Sequence, residues 1–226
     1  MPLAIVTGTS RGLGRALAER LLAQGSSVHG FVRAPDGWAA PGFVAHTVDV
    51  GDSAAVRAAV AAVTADGATI DLLVNNAGAI PGGSLHDLDE QRWRQAWELK
   101  LFSYINLTRS YLPMMEQRGR GVICNIIGLA GVAPRYDYIC GSTANAGLIA
   151  FTQGLGGGSV RKGVRVFGIN PAPTRSQRMQ TMLERQATNK GGDTSRWMEL
   201  SHKLPFGRMA EPDEIPRMTV FTRSPL

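Results

Sequence analysis

The residues with the clearest chemical potential form a glycine-rich loop near the start of the sequence. The loop joins a short apolar stretch to a segment with apolar residues at helical spacing. Glycines let a backbone turn sharply and approach a phosphate closely, and the free N–H groups at a helix N-terminus bind it. The loop therefore predicts a dinucleotide site, and the alternative is a glycine-rich turn without a ligand. The expected phosphate contacts are Gly8, Ser10, Arg11, Gly12, Leu13 and Gly14.

Two arginines near this loop favour NADP over NAD as the cofactor. In many dinucleotide-binding domains a carboxylate ends the second strand and binds the ribose 2′-hydroxyl. Here the second predicted strand ends at Arg33, and Arg11 lies in the glycine loop. Guanidinium groups bind phosphate through paired N–H donors, so both arginines suit the 2′-phosphate of NADP. The alternative is that Arg33 is a solvated loop arginine.

Composition narrows the remaining classes of partner. The 226 residues carry a net charge of +6, but the arginines are scattered and only 7% of residues are aromatic. A nucleic-acid surface needs clustered cations and stacking side chains, so we expect no nucleic-acid partner. We also expect no metal, because the four histidines and two cysteines lack ligand spacing. Without a leader, a membrane-length apolar run or a disulfide framework, the predicted location is cytoplasmic and no membrane contact is expected.

Alternating strand and helix patterns predict the scaffold that positions these residues. The predicted strands are Leu3–Thr7, Val28–Val32, Phe43–Val48, Asp71–Asn75, Gly121–Ile127 and Val164–Ile169. The predicted helices are Arg11–Gln24, Ala54–Thr64 capped by Ser53, Asp89–Gln117 kinked or broken near Pro113, Ser142–Leu155 and Pro212–Phe221. Because parallel strands need crossover connections, the alternation predicts an α/β, doubly wound Rossmann fold. We expect one domain over residues 1–226, with a mostly parallel sheet and helices on both faces.

Two segments depart from this regular alternation. The polar segment Thr174–Phe206 contains Gly191 and Gly192, and we expect a mobile excursion that forms a lid over the substrate. The fourth predicted helix, Ser142–Leu155, leads into a run of glycines, each of which costs roughly 1 kcal/mol against alanine inside a helix. We therefore expect that end to fray or to stop early.

Several motifs together resemble those of the short-chain dehydrogenase/reductase family over essentially the whole chain. The glycine loop resembles the family's glycine motif, and Asp49-Val50 resembles its adenine-contacting pair. Asn75-Asn76-Ala77-Gly78 is similar to the segment beside the cofactor, and Asn170–Pro173 is similar to the segment after the sixth strand. The resemblance adds these expected cofactor contacts: Asp49, Val50, Asn75, Ala77, Gly78, Pro171 and Ser176, the last at a position where the family often has a threonine.

The resemblance implies hydride transfer between nicotinamide and a carbonyl or alcohol, but the family's four usual catalytic groups are replaced. Those groups are a tyrosine that moves the proton, a lysine that lowers its pKa, a serine that polarises the carbonyl and an asparagine that holds a water. Aligned on the motifs, Gly141 stands at the tyrosine position and Gly128 at the serine position. Asn145 stands at the lysine position and Lys100 at the asparagine position.

Lysine and asparagine are thus exchanged rather than lost, and a phenol lies nearby at Tyr138. We hypothesise an altered site in which Tyr138 is the acid/base, Lys100 its electrostatic partner and Asn145 a relay or ribose contact. Ser142, beside Gly141, supplies a hydroxyl. In the alternatives Lys100 is a helix lysine that pairs with Glu98 or Glu116. Tyr138 packs in a loop, and Asn145 forms local hydrogen bonds.

Three functions remain open on this scaffold, because fold does not settle function. We favour an NADP-dependent oxidoreductase acting on a small carbonyl or alcohol. The second is a catalytically silent dinucleotide-binding sensor or regulatory protein, and the third is a lyase or isomerase that uses Lys100. The resemblance also implies a homodimer through the two long helices and a further strand after the last helix. The sequence stops at Leu226, so we expect that last strand to be missing.

Overall fold

A computed structural model of the protein describes residues 1–189, 193–202, 204 and 206–221. Its strands are β1 (Leu3–Thr7), β2 (Ser27–Val32), β3 (Phe43–Thr47), β4 (Leu72–Asn75), β5 (Gly121–Ile126) and β6 (Val164–Ile169). Its α-helices are α1 (Gly12–Ala23), α2 (Ser53–Thr64), α3 (Glu90–Trp97), α4 (Ser103–Arg118), α5 (Ile139–Ser159), α6 (Gln177–Asn189), α7 (Trp197–Ser201) and α8 (Glu214–Phe221).

The six strands form one parallel sheet in the order β3-β2-β1-β4-β5-β6, which confirms the predicted doubly wound fold. Each central strand is apolar on both faces because helices cover both sides of the sheet. Ile5 and Leu73 face a core shared with α2 and α4. Val6 and Val74 face the opposite core, which α1 and α8 cover.

The predicted start of α2 was wrong by one residue. Asp52 is the N-cap, and its carboxylate accepts hydrogen bonds from the backbone N–H groups of Ala54 and Ala55 (2.7 and 3.3 Å). Ser53 is instead the first helical residue. A carboxylate also suits the positive end of the helix dipole, so the aspartate is the better cap of the two neighbours.

The predicted break in the long helix lies in a different place. α4 continues through Pro113, which is exposed, so the carbonyl that the proline leaves without a partner can be hydrated. The regular helix is interrupted earlier, at a π-helical turn over Glu98–Phe102. Such wide turns are frequent at functional sites, and this one contains Lys100.

The glycine-rich end of α5 neither frays nor stops early, so that prediction was wrong. The helix runs to Ser159 through four glycines of the segment. A Cβ added to Gly156 would lie 2.7 Å from the carbonyl oxygen of Val166 in β6. Glycine therefore lets the helix pack directly on the strand, and this contact outweighs the low helix propensity.

The segment after β6 is an excursion whose two ends meet. Arg175 N–H donates to the Ala210 carbonyl (2.8 Å), and Ala210 N–H donates to the Pro173 carbonyl (3.0 Å). The Arg175 guanidinium also pairs with Glu211 (2.8 Å). Between these ends the chain forms α6, a 3-10 turn and α7, while Gly191 and Gly192 lie outside the described residues. The predicted mobility and lid function stay predictions.

The outer edge of β6 has no strand beside it within the described residues, which end at Phe221. Residues 222–226 lie outside them. Over the same part of the chain, no helix combines the length and apolar character that crossing a bilayer requires.

Candidate active site

The glycine loop lies at the carboxyl edge of the sheet, where the strand order reverses between β1 and β4. Ligands of doubly wound proteins bind at this switch point. Gly8 has φ +77°, and its N–H donates to the Phe31 carbonyl (2.8 Å). A Cβ on Gly14 would lie 2.1 Å from the Gly8 carbonyl oxygen, so no other residue fits there. The loop therefore leaves the α1 N-terminus open to a phosphate.

Thr7 joins this loop to the end of β4. Its Oγ1 accepts hydrogen bonds from the backbone N–H groups of Asn76 and Ala77, both at 2.9 Å. The Asn76 side-chain amide returns a hydrogen bond to the Thr7 carbonyl (2.8 Å). Sequence reasoning named Ala77 but missed Thr7 and Asn76, whose roles in joining the two strand ends require the register of the sheet.

A cleft of about 580 Å³ lies between the segments that follow β2, β3 and β4 on one side and α3 on the other. Arg33, Asp49 and Gly51 line one side, and Asp49 Oδ1 accepts the Gly51 N–H (2.9 Å). Arg11 is exposed at the N-cap of α1. Arg33 and Asp49, both predicted to bind the adenosine end of a dinucleotide, thus line one cleft, and Arg11 is not among its lining residues.

Three predicted cofactor residues have side chains that are packed in the core or hydrogen-bonded to other residues of the protein. Val50 is buried in the core. The fully buried Asn75 amide donates to Asn125 Oδ1 (2.9 Å) and to Thr108 Oγ1 (3.3 Å). Ser176 Oγ accepts the backbone N–H of Met179 (3.1 Å) at the start of α6. Any cofactor contact from Val50 or Asn75 would therefore use backbone atoms.

Pro171 and Gly78 follow β6 and β4, the strands on either side of β5, and shape the site through contacts. The Pro171 carbonyl accepts the N–H of Leu129 (3.2 Å) and joins the segments that follow β5 and β6. A Cβ on Gly78 would lie 2.6 Å from Cδ of Lys100. Gly78 therefore provides the space in which the Lys100 side chain lies.

Lys100 is a buried cation at the end of β5, with 8% of its surface exposed. Its Nζ donates to the Ile126 carbonyl and to the Tyr104 hydroxyl, both at 2.7 Å. Burial raises the pKa of the Tyr104 phenol well above its usual range, so the phenol stays neutral and donates to Ile126 (2.8 Å). Glu116, one alternative ion-pair partner, pairs instead with Lys162 (2.8 Å).

The Tyr138 ring occupies the space where a side chain at position 141 would begin. A Cβ built on Gly141 would lie 2.1 Å from Cε1 and 2.2 Å from Cζ of Tyr138, and 2.7 Å from its hydroxyl oxygen. Ser142 Oγ accepts the N–H of Arg135 (3.0 Å), and Gly83 N–H donates to the Asp137 carbonyl (2.8 Å). Both contacts fix the loop that carries Tyr138.

Asn145 has an unsatisfied acceptor. Its Nδ2 donates weakly to the Gly128 carbonyl (3.4 Å), while its buried Oδ1 has no hydrogen-bond partner among the described residues. A buried acceptor without a partner costs about 1–3 kcal/mol. A ligand hydroxyl would satisfy it, so this position and the glycine loop both fit a dinucleotide that carries ribose.

The four predicted catalytic residues come from two regions of the chain. Tyr138, Ser142 and Asn145 belong to the first turns of α5 and the loop before it, and Lys100 belongs to the π-helical turn. Contacts with Gly128 and Ile126 bring Asn145 and Lys100 to the end of β5 and the segment after it. Whether these side chains act in catalysis stays a prediction.

Comparison with known proteins adds an independent observation. Residues 2–187 match the short chain dehydrogenase family. The chain is 30% identical to an acetoacetyl-CoA reductase of Shinella zoogloeoides over 98% of its length and 90% of the relative. It is 33% identical to a monensin polyketide synthase putative ketoacyl reductase of Streptomyces virginiae over 94% of its length and 86% of the relative.

Two solved structures have the same fold. A variant of actinorhodin polyketide ketoreductase with NADPH superimposes with a TM-score of 0.91 and 26% identity, covering 99% of this chain and 90% of that one. L-sorbose reductase from Gluconobacter frateurii, in complex with NADPH and L-sorbose, has a TM-score of 0.87 and 26% identity, covering 99% and 89%.

Proposed function

Because the chain belongs to the short-chain dehydrogenase family, we propose that it is an NADP-dependent oxidoreductase that reduces a carbonyl group of a small substrate. The observation that carries the proposal is the position of the Tyr138 ring in the space at Gly141. A phenol is therefore available at the point where the resemblance calls for one, although the sequence position differs. Relatives named as reductases of acetoacetyl-CoA and of ketoacyl groups support a ketone substrate.

The cofactor assignment rests on charge and on the glycine loop. Arg11 and Arg33 supply guanidinium groups for a 2′-phosphate, and two structural neighbours are NADPH complexes. The bound nicotinamide would supply the hydride. The loop formed by Gly8 and Gly14 would hold the pyrophosphate at the α1 N-terminus.

Tyr138 would act as the proton donor. When the substrate carbonyl carbon is reduced, its oxygen takes a proton, and a positioned phenol that gives this proton contributes about 10²–10⁴-fold to the rate. Lys100 places a fixed ammonium at the end of β5, where its charge favours the phenolate that remains. We assign Lys100 an electrostatic role, since its hydrogen bonds hold it to Tyr104 and Ile126.

Asn145 and Ser142 complete the proposed site. The unpaired Oδ1 of Asn145 would accept a ribose hydroxyl, as a residue at the family's lysine position should. Ser142 would act as a positioning residue, because its Oγ holds the backbone of Arg135 in the loop that carries Tyr138. This contact supports a role for Ser142 in orienting the phenol.

The test combines cofactor binding with a substrate panel. NADPH and NADH are titrated into the protein by fluorescence, and ketone substrates are then followed by NADPH absorbance. We expect Tyr138→Phe to lower kcat by about 100-fold or more with an unchanged Kd for NADPH. Tyr136→Phe, at a neighbouring residue that is 70% exposed, is the matched control and should retain activity.

A second candidate is a catalytically silent dinucleotide-binding sensor. The observation that favours it is Gly128, which has φ +128° and leaves no hydroxyl at the family's serine position. Tight NADPH binding without turnover of any ketone in the panel would support this candidate over the reductase. If the protein showed no NADPH binding and no turnover, both candidates would be contradicted.

The proposed assembly is a homodimer through the long helices. The resemblance points to α4 and α5 as the interface. Phe102 and Met114 expose apolar surface at and near α4 (41% and 43%), which supports the proposal. The cytoplasmic location and the lack of a nucleic-acid or metal partner stay predictions.

A further inference from the structure

One face of α3 forms a wall of the 580 Å³ cleft that we assign to the adenosine end of the cofactor. Arg92, Ala96 and Leu99 follow one another at helical spacing and all line it. Leu99 continues this wall into the π-helical turn, where its backbone approaches within 3.8 Å of a Cβ built on Gly51. The helix therefore faces the strand ends that carry the predicted adenine and 2′-phosphate contacts.

Arg92 gives this wall a guanidinium group with unused donors. The side chain is exposed, and within the described part of the chain it forms no hydrogen bond or ion pair. Asp49 and Glu98 also line the cleft, but among the same residues neither pairs with Arg92 or with Arg33. Both arginines can therefore direct all their N–H groups to a ligand.

Arg94, two residues further along, shows the opposite arrangement. Its guanidinium donates to Glu90 on the preceding turn (2.6 and 2.8 Å). It borders a separate groove, lined by Trp93 and Trp97, on another side of the helix. The two arginines have the same charge and the same helix, but only Arg92 borders the cofactor cleft.

We propose that Arg92 binds the 2′-phosphate of NADPH from the α3 wall of the cleft, opposite Arg33. This contact would raise the preference of the site for NADPH over NADH. The proposal rests on the proposed function of the cleft. The 2′-phosphate is the group that distinguishes the two cofactors, and it carries the charge that a guanidinium binds best. A contact from each wall would enclose this phosphate between a strand end and a helix.

The test measures Kd for NADPH and for NADH with the whole chain and two variants. We expect Arg92→Ala to weaken NADPH binding by about tenfold, because a charge-assisted hydrogen bond is lost. NADH binding should change by less than about twofold, since NADH has no group for this contact. Arg94→Ala removes the same charge from the same helix and should leave both dissociation constants within about twofold.

The other outcomes separate this inference from the proposed function. Equal weakening of NADPH and NADH by Arg92→Ala would overturn the phosphate contact in favour of stacking on adenine. Unchanged NADPH binding would overturn any role for Arg92 and leave the proposed function intact. A wild-type chain that binds neither cofactor would overturn both.

Discussion

The carboxyl edge of the sheet has two regions, and different parts of the chain hold each of them in shape. In the cofactor half, formed by β1, the glycine loop and the end of β4, the close contacts are mainly backbone ones, such as the approach of Gly14 to the Gly8 carbonyl. In the catalytic half, formed by β5, α5 and the π-helical turn, side chains fill space that glycines leave. Tyr138 lies over Gly141, and Lys100 lies over Gly78.

If the catalytic groups are replaced as the sequence alignment predicts, this contrast would explain why one region keeps the family's motifs and the other does not. A phosphate that binds backbone N–H groups requires a particular backbone path, which side chains elsewhere cannot replace. A proton donor or a cation requires only that its functional group reach the right place. A residue three positions from the usual one can therefore supply the phenol, as Tyr138 does in the proposed site.

The largest expected effect tests the cofactor half. In Gly14→Ala the new methyl group meets the Gly8 backbone, which cannot move aside as a side chain can. We expect loss of NADPH binding and a destabilisation of up to about 3 kcal/mol, measured by fluorescence titration and thermal unfolding. The control is Gly157→Ala, which adds a methyl group to a helical glycine that has open space around it. This variant should stabilise the folded state by up to about 1 kcal/mol. Normal NADPH binding by Gly14→Ala would contradict the backbone argument.

The next effect tests the catalytic half in the same way. Gly141→Ala places a methyl where the Tyr138 ring lies, so the ring must leave its position. We expect kcat to fall by about 100-fold while the Kd for NADPH is unchanged. Gly147→Ala, on the same helix, gives only an ordinary 3.7 Å contact with Leu101 and is the control. Full turnover in Gly141→Ala would show that the position of Tyr138 does not matter.

A smaller effect separates charge from packing at Lys100. Lys100→Met removes the ammonium but keeps an unbranched side chain, and the Ile126 carbonyl retains its hydrogen bond from Tyr104 (2.8 Å). The substitution removes the desolvation cost of a buried ammonium together with its hydrogen bonds to Tyr104 and Ile126, so these two effects on stability oppose each other. We expect turnover to fall about tenfold, because the ammonium that would stabilise the phenolate in the proposed site is lost. Loss of thermal stability with normal turnover would make Lys100 a structural residue.

The smallest effect concerns the pH dependence of folding stability and the two strands beyond β1, namely β2 and β3. His29 Nδ1 and His46 Nε2 lie 3.0 Å apart on β2 and β3. Burial lowers the pKa of both imidazoles, and the charge of His46 lowers the pKa of His29 further. The folded state therefore binds fewer protons than the unfolded state, whose histidines titrate near about pH 6.5.

Stability should consequently be complete above that pH and decrease as the pH falls through it towards the lowered values. We expect the thermal midpoint to drop by less than about 4 °C from this source, the shift that 1 kcal/mol gives a chain of this size. His46→Gln should flatten the pH profile between about pH 7 and pH 5. An equally steep profile in this variant would assign the acid sensitivity to other groups.

The sequence predicted the parallel sheet and the glycine loop well, because local patterns encode both. Each predicted strand is present, and the glycines of the loop occupy positions that exclude a Cβ or have positive φ. The N-cap of α2 was misplaced because Asp52 and Ser53 are adjacent and both belong to the residue types that commonly cap helices. The choice between them depends on the direction of the preceding loop.

The remaining differences have causes distant in sequence. The π-helical turn at Glu98–Phe102 contains no glycine or proline that would predict it from the sequence. It occurs where the Lys100 side chain reaches the Ile126 carbonyl. The glycine end of α5 stays helical because of its contact with β6. The sequence brought Tyr138 close to Gly141, but only the structure shows the ring in that space.

The backbone at Gly128 has a consequence for how this chain could change over evolutionary time. Its φ of +128° strains any other residue, and a Cβ there would lie 3.1 Å from the Asn145 amide. A mutation that introduced the family's serine at this position would therefore be selected against unless the backbone and Asn145 changed with it. Tyrosine at position 141 meets the same obstacle in the Tyr138 ring. Single substitutions are obstructed at both positions, so Gly128 and Gly141 should persist together with Asn145 and Tyr138 in descendants of this sequence.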